Sequence, residues 1–173
     1  MKLSKLKGAK TIGVLGLSAI IALVTPVLIQ PVPRIIWNAS ESVPVGWYLV
    51  SNRQPKIGEI GVIEPSDWVL LYASERGYLP QNVRMLKPVF AVYPSIICRY
   101  GRYVFVDGKL VAKARIHDQQ HRLLPTWKGC KTLKRDEVFV LAKPRSSFDS
   151  RYFGPVKRNQ IVGTALPLTD IAK

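Results

Sequence analysis

The chain has 173 residues, 47% of them hydrophobic and 21% charged, with 12 glycines and 13 prolines. That balance excludes an intrinsically disordered chain and suffices for one domain with its own core. Charge is lopsided, 26 Lys and Arg against 11 Asp and Glu for a net +15, which fits nucleic acid, anionic lipid headgroups or solubility alone. No helix-turn-helix, zinc-finger spacing or interleaving of basic and aromatic residues accompanies the charge, so no nucleic-acid partner is expected.

Residues 1–10 make a basic tail, with Lys2, Lys5, Lys7 and Lys10 and no acid. Thr11 to Ile29 follows without a charge. As a helix rising ~1.5 Å per residue it reaches just under the ~30 Å of a hydrocarbon core. Pro26 is tolerated near the end of such a span. From Gln30 to Val50 only Arg34 and Glu41 are charged. The lysine excess on one side predicts a cytoplasmic N-terminus and an extracytoplasmic, periplasmic domain over 30–173. A cleaved secretory signal has the same layout. The run is long for one, however, and Val27-Leu28-Ile29-Gln30 offers no small-x-small site, so a retained single-pass anchor in the inner membrane is expected.

After Pro44 the texture is mainly β. Trp47-Tyr48-Leu49-Val50 reads as a strand, and Lys56 to Ile63 as a turn into another. Ser66 to Arg76 is the one soluble helix, with Ser66 as its N-cap. Short strands are expected at Val83 to Leu86, Val89 to Tyr93, Ile96 to Arg99 and Tyr103 to Val106. Asp107-Gly108 joins the last of these to Lys109-Leu110-Val111 as a hairpin. Residues 113–133 read as loop, and strands return at Val138 to Leu141 and Ile161 to Leu166. This spacing predicts a coiled antiparallel sheet or small barrel rather than βαβ units.

Cys98 and Cys130 are the only cysteines. In an oxidising compartment an even pair is naturally a disulfide; two buried thiols are the other reading. His117 and His121 are four apart but lie in a loop-like stretch and lack the glutamate of a metalloprotease helix, so no metal and no cofactor is expected. Neither histidine has an evident carboxylate to orient it, which also removes a histidine-based triad.

The segment Asn38-Ala39-Ser40-Glu41-Ser42-Val43-Pro44-Val45-Gly46 holds the candidate nucleophile. Ser40 and Ser42 point the same way if the chain is extended there. Pro44 stiffens the segment and Gly46 lets it turn. A serine-rich turn with no chemistry fits the same residues. Without a histidine, the base for Ser42 is a lysine desolvated enough to lose its proton near neutral pH. Lys87, between apolar residues in Arg84-Met85-Leu86-Lys87-Pro88-Val89-Phe90, is the best placed. A strand lysine whose stem covers apolar surface fits the same local sequence.

At these residues the chain resembles the type I signal peptidase-like serine/lysine peptidases (the S26 family), most closely the conjugative-transfer, TraF-type branch. Asn38-x-Ser40-x-Ser42-x-Pro44-x-Gly46-x-Tyr48 is similar to the family's first box. Lys56-x-Gly58-Glu59-Ile60 resembles the next, with Glu where Asp is usual. Arg76-Gly77-Tyr78-Leu79-Pro80 followed by Leu86-Lys87 resembles the base-bearing box. Leu124-Pro125-x-Trp127-x-Gly129-Cys130 and Ser147-Phe148-Asp149-Ser150-Arg151-Tyr152-Phe153-Gly154-Pro155 resemble the closing ones. The likeness runs in order from about Asn38 to Leu168. Departures are Pro88, where Arg is common, and Tyr93-Pro94-Ser95, where a Pro-Gly-Asp turn is usual.

The resemblance implies Ser42 as nucleophile, Lys87 as general base, Ser40 as a hydroxyl assisting the oxyanion, and Ser147 as a hydroxyl orienting the lysine. It implies Asp149 and Arg151 as a structural polar pair near the site, and favours the Cys98–Cys130 bridge. The implied activity is a membrane-anchored serine endopeptidase cleaving the signal peptide from an exported, pilin-like precursor, with membrane lipid as the other partner. Release by the substrate's own amine, giving a cyclic product, is a variant. A non-catalytic assembly protein with the same fold is the alternative from another class.

Overall fold

The computed structural model describes residues 12–24 and 34–168. A helix, α1, covers 12–24. At ~1.5 Å per residue it is about 20 Å long, and no helix among the described residues is long and apolar enough to cross a membrane. Of the expected span over 11–29, residues 12–24 are described and are helical. The basic tail and the flanks of the span lie outside the described residues. Residues up to Pro33 and from Arg34 onward form two separate units.

The second unit is mainly β, and all its strand pairings are antiparallel. In chain order it contains β1 (Ile35–Asn38), β2 (Gly46–Ser51), β3 (Ile60–Ile63), α2 (Asp67–Glu75), β4 (Met85–Val92), β5 (Ile96–Tyr100) and β6 (Tyr103–Val106). There follow β7 (Lys109–Lys113), β8 (Gly129–Thr132), β9 (Glu137–Val140), α3 (Ser150–Phe153), β10 (Val156–Lys157) and β11 (Ile161–Pro167). Seven strands form one sheet in the order β1-β2-β11-β3-β4-β9-β10, and four form a second in the order β7-β6-β5-β8.

Strand β9 joins the two sheets through its packing. All four of its residues are buried; Val138 and Val140 face one cluster with Val69, Ala73, Met85, Phe148 and Tyr152, while Phe139 faces the other with Ile97, Val104 and Leu133. Side chains alternate across a strand, so a strand covered on both faces is a continuous apolar run. Strand β4 reaches both clusters by another device, since a register shift between Val89 and Ala91 puts Val89 in the first and Ala91 in the second. A bulge of this kind turns a side chain to the opposite face.

Several elements differ from expectation. The strands expected on either side of Lys87-Pro88 are one strand. Pro88 sits opposite Ile60 of β3 and its carbonyl accepts from the Leu141 N–H at 3.1 Å. The β9 ladder begins only at Val89–Val140, so the missing N–H falls where β9 ends and interrupts no continuing ladder. Residues 113–133 are not all loop, because they contain β8 and an isolated bridge between His117 and Leu123. Ser66 stands at the N-cap of α2 without a side-chain cap hydrogen bond. The Asp107-Gly108 hairpin forms as expected, with φ of 49° and 77°, the positive values of a type I′ turn. Glu59 closes the turn before β3 by accepting from Arg53 at 2.8 Å and from the Lys56 N–H at 2.7 Å. The Arg53 hydrogen bonds above all, then the Lys56 N–H, hold its carboxyl down at about 2.

Cys98 and Cys130 are disulfide-bonded as directly paired residues of β5 and β8. Closing a loop with a sequence separation of 32 gives about 3–4 kcal/mol in the loop-entropy picture. Replacing both cysteines by serine is expected to lower the urea midpoint by that equivalent; a loss under about 1 kcal/mol would mean that strand pairing alone holds the second sheet.

Candidate active site

The site is assembled from three separate stretches. The loop between β1 and β2 carries Ser40 and Ser42, β4 carries Lys87, and the segment before α3 carries Ser147. Lys87 Nζ lies 2.6 Å from Ser42 Oγ and 2.9 Å from Ser147 Oγ, and the two hydroxyls are 3.1 Å apart. These distances lie within the reach required of a general base and its proton donor.

The loop 39–45 is a turn rather than an extended strand. Ser40 and Ser42 nonetheless share a side. Ser40 Oγ donates to Ser42 Oγ at 3.1 Å and accepts from the Ser42 N–H at 3.3 Å. Asn38 at the end of β1 imposes this shape. Its buried amide donates to the carbonyls of Ser40, Val43 and Pro44 at 2.7, 3.1 and 3.0 Å, and its carbonyl accepts from the Ser40 N–H at 3.1 Å. Tyr48 OH adds a second bond to the Pro44 carbonyl at 2.7 Å. Asn38 and Tyr48 belong to the first box but carried no role in the sequence reading. The signal for Asn38 was its position two residues before Ser40, where an Asx side chain closes a local turn.

Lys87 is 5% exposed. Its pKa is lowered to about 8 from the ordinary 10.5 by burial above all; nearby Asp149 raises it and Arg151 lowers it. Taking a charge out of water disfavours the charged form. Asp149 and Arg151 largely answer each other, with Arg151 Nε and Nη2 donating to the two carboxylate oxygens at 2.7 and 2.8 Å. Both are almost fully buried. Asp149 also accepts from the Ala142 N–H at 3.1 Å, and Arg151 Nη2 donates to the Ala142 carbonyl at 2.5 Å.

Two donors to which the sequence reading gave no role clamp α3, one from the second sheet and one, quoted in a closing box, from the segment just before β8. Arg99 of β5, next to Cys98, donates to the Arg151 carbonyl, and Trp127 Nε1 donates to the Ser150 carbonyl at 3.0 Å. Neither role is visible in local sequence, since both bonds join residues far apart in the chain. Among the described residues no group of His, Cys, Asp and Glu is arranged to hold a metal.

The order of these boxes along the chain and their convergence in space point to one family. The chain belongs to the signal peptidase, peptidase S26 family, whose model matches residues 8–168. More particularly, it is similar to proteins of plasmid transfer. It is 32% identical over 142 residues to the plasmid transfer protein TraF of Escherichia coli, covering 76% of this chain and 80% of that protein. It is likewise 32% identical to the probable conjugal transfer protein TraF of Sinorhizobium fredii, over 74% of this chain and 73% of that one. With the conjugal transfer protein TraF of Agrobacterium tumefaciens the identity is 29%, over 76% and 80%. Among solved structures, a signal peptidase I from Enterococcus faecalis overlaps 66% of this chain and 98% of its own at 18% identity and a TM-score of 0.38.

The Lys87 shift has a consequence for stability. Between about 8 and 10.5 the unfolded chain binds the proton that the folded chain has lost, so stability rises with pH across that window. Lys87→Met removes this dependence. The variant is expected to be more stable than the parent by the largest margin below pH 8, and the margin should shrink by about 3 kcal/mol as pH rises through the window. Chemical unfolding of both proteins at several pH values checks it; a constant margin means that Lys87 is not held neutral.

Proposed function

We propose that the chain is a membrane-anchored serine endopeptidase that uses a Ser42/Lys87 dyad to cleave the signal peptide from an exported precursor, a pilin-type subunit of a conjugation apparatus. The observation that carries this reading is a buried lysine amine 2.6 Å from a serine hydroxyl. In its neutral form Lys87 takes the Ser42 proton as Ser42 Oγ attacks the scissile carbonyl carbon. Ser147 aims the amine. The tetrahedral oxyanion displaces the resting contact between Ser40 and the Ser42 N–H and takes hydrogen bonds from both groups. Collapse expels the amine product, which receives the proton from Lys87. Water then attacks the ester, or the substrate's own amine does so and closes a ring.

The relatives' names support a place in conjugal transfer. Membrane attachment is supported by the uncharged run 11–29 and by the outer face of the β1–β2 hairpin, with the cytoplasm on the N-terminal side and the peptidase domain in the periplasm. On that face Ile35 pairs across with Leu49 and Trp37 with Trp47, all four exposed, and the two indoles meet edge to face at 5.2 Å. A row of exposed aromatic and aliphatic residues on a strand face normally turned to water marks a lipid or protein contact.

Ser42→Ala and Lys87→Met are each expected to abolish precursor cleavage by the full chain in detergent. Cleavage that survives both ends the dyad. A parent protein that cuts no candidate precursor favours the non-catalytic assembly reading. Because the base acts in its neutral form, kcat/KM at limiting substrate should fall about tenfold per unit as pH drops below about 8, and a flat profile down to pH 6 excludes Lys87 as the base. Trp37→Ser with Trp47→Ser should weaken association with phosphatidylglycerol vesicles several-fold at high salt, where surface charge is screened; unchanged partitioning would remove the hairpin from the lipid contact.

A further inference from the structure

The cavity that opens at Ser42 and Lys87 has a volume of about 720 Å³, and a second part of its wall is formed by Arg76, Arg84, Arg115, Arg122 and Asp118. Four guanidinium groups and one carboxylate line that part of the wall, with Glu41 beside Ser42 as the cavity's other lining acid. Asp118 is already saturated. It accepts from Tyr78 OH at 2.5 Å, from Arg122 Nε at 2.7 Å, and from the N–H groups of Gln120 and Arg122 at 2.9 Å each. Burial alone would raise its pKa, but these donors outweigh burial and hold it below the usual carboxylate range.

Arg122 also donates Nη2 to the Arg76 carbonyl at 3.1 Å, and Arg84 Nη2 lies 3.8 Å from Glu64, so the donors left short of acceptors are those of Arg76 and Arg115 and the Nε of Arg84. Arg76 Nη1 is 3.6 Å from Asp118, too far for a hydrogen bond, while its guanidinium rides 4.1 Å over the Tyr72 ring. Among the described residues, the buried side-chain polar atoms without a hydrogen-bond partner are Arg76 Nη1 and Arg84 Nε, both from residues lining this cavity. Arg115 lines it too, and its exposed side chain makes no hydrogen bond or ion pair among the described residues. A buried donor without an acceptor costs about 1–3 kcal/mol and calls for a reason. Guanidinium forks match a carboxylate in shape and charge.

The occupant is a peptide on other grounds. Opposite β3, strand β4 is paired to β9 only from Val89 to Val92, and the Pro88 carbonyl is taken by the Leu141 N–H, so the residues from Met85 to Lys87 leave a short backbone edge unpaired by any strand beside the dyad. An extended chain adds to such an edge through main-chain hydrogen bonds. Met85, Leu86 and Phe148 supply apolar wall along it.

We propose that Arg76, Arg115 and Arg122 form a subsite for an acidic side chain of the precursor, several residues away from the scissile bond. This rests on the peptidase reading above for the identity of the ligand, and not for its chemistry. The wall then works as a selector: among exported chains with small residues at the cut, one with a suitably spaced Glu or Asp is held along β4.

The test uses the full chain in detergent carrying Ser42→Ala, so that binding is read without turnover. The probes are fluorescein-labelled peptides with small residues at the centre and a single Glu, or its Gln counterpart, walked along the remaining positions. Anisotropy at low salt is expected to show a Glu peptide binding about tenfold tighter than its Gln counterpart at one or two positions. Arg115→Gln, a change at an exposed residue, and Arg76→Gln should each reduce that preference to less than about twofold. Equal Kd values for Glu and Gln peptides at every position overturn the proposal, as does a preference that survives both substitutions. Loss of phosphatidylglycerol vesicle binding in Arg115→Gln without any Glu preference assigns the wall to a lipid headgroup instead. Should the parent protein bind Glu peptides selectively yet cut none, the subsite stands and the peptidase reading fails.

Discussion

The arrangement depends on keeping a primary amine out of water without giving it a counter-charge. Lys87 stands in a strand packed on both sides, and its polar neighbours are hydroxyls, which accept or donate equally well to either protonation state. Asp149 is the one acid acting on it, and Arg151 occupies both oxygens of that carboxylate. The pair presents the amine with opposing influences that leave burial in control. Were the acid left without its arginine, its charge would favour the ammonium and cancel the effect of the apolar setting. The buried ion pair is thus intelligible as insulation more than as a source of stability, which such pairs supply poorly.

The Ser42 side is built on a different rule. Ser42 sits on a turn whose carbonyls are gathered by one amide, that of Asn38. A loop held chiefly by one buried side chain, with Tyr48 adding a bond at Pro44, has few ways to shift without losing several hydrogen bonds together. The third partner, Ser147, reaches the site from the segment leading into α3, which is pinned by Arg99 of the second sheet and by Trp127 just before β8. The smaller sheet therefore touches none of the polar atoms at the centre, yet it fixes one of the three stretches that meet there. The disulfide lies between the strands that carry the two pins or border them.

Much of this was legible in the residues, and the gaps have physical causes. The central strands announce themselves because a strand covered on both faces is apolar along most of its length. Strand β8 gives no such signal, since all four of its residues, Gly129 to Thr132, are exposed. Helix α3 spans only Ser150–Phe153, too short for any periodicity to register. Pro88 reads as a break, and only its place at the last rung of a ladder makes it harmless. The pairing of Ser40 and Ser42 was expected for the wrong reason: alternation along a strand and a turn closed by Asn38 put the two hydroxyls on one side alike. Lys87 is the instructive residue. Locally it reads equally as a solvent-seeking lysine with a buried stem, because burial of the amine is a property of β3, β9 and the residues before α3 taken together. Likewise the guanidinium groups of Arg76 and Arg115 lie far apart in the chain, and only folding puts them on one wall.

The β1–β2 hairpin has a geometric corollary. The same two short strands end in the turn bearing Ser42 and display the paired indoles on their outer face. In the membrane-bound form proposed here, the hairpin is a caliper: it sets the height of the reacting hydroxyl above the acyl chains by a handful of rigid backbone units. The depth at which a bond can be cut is then independent of how residues before Arg34 attach the protein. Lengthening that tether would change how often the cutter meets its target, while the position of the cut would stay where the two tryptophans place it.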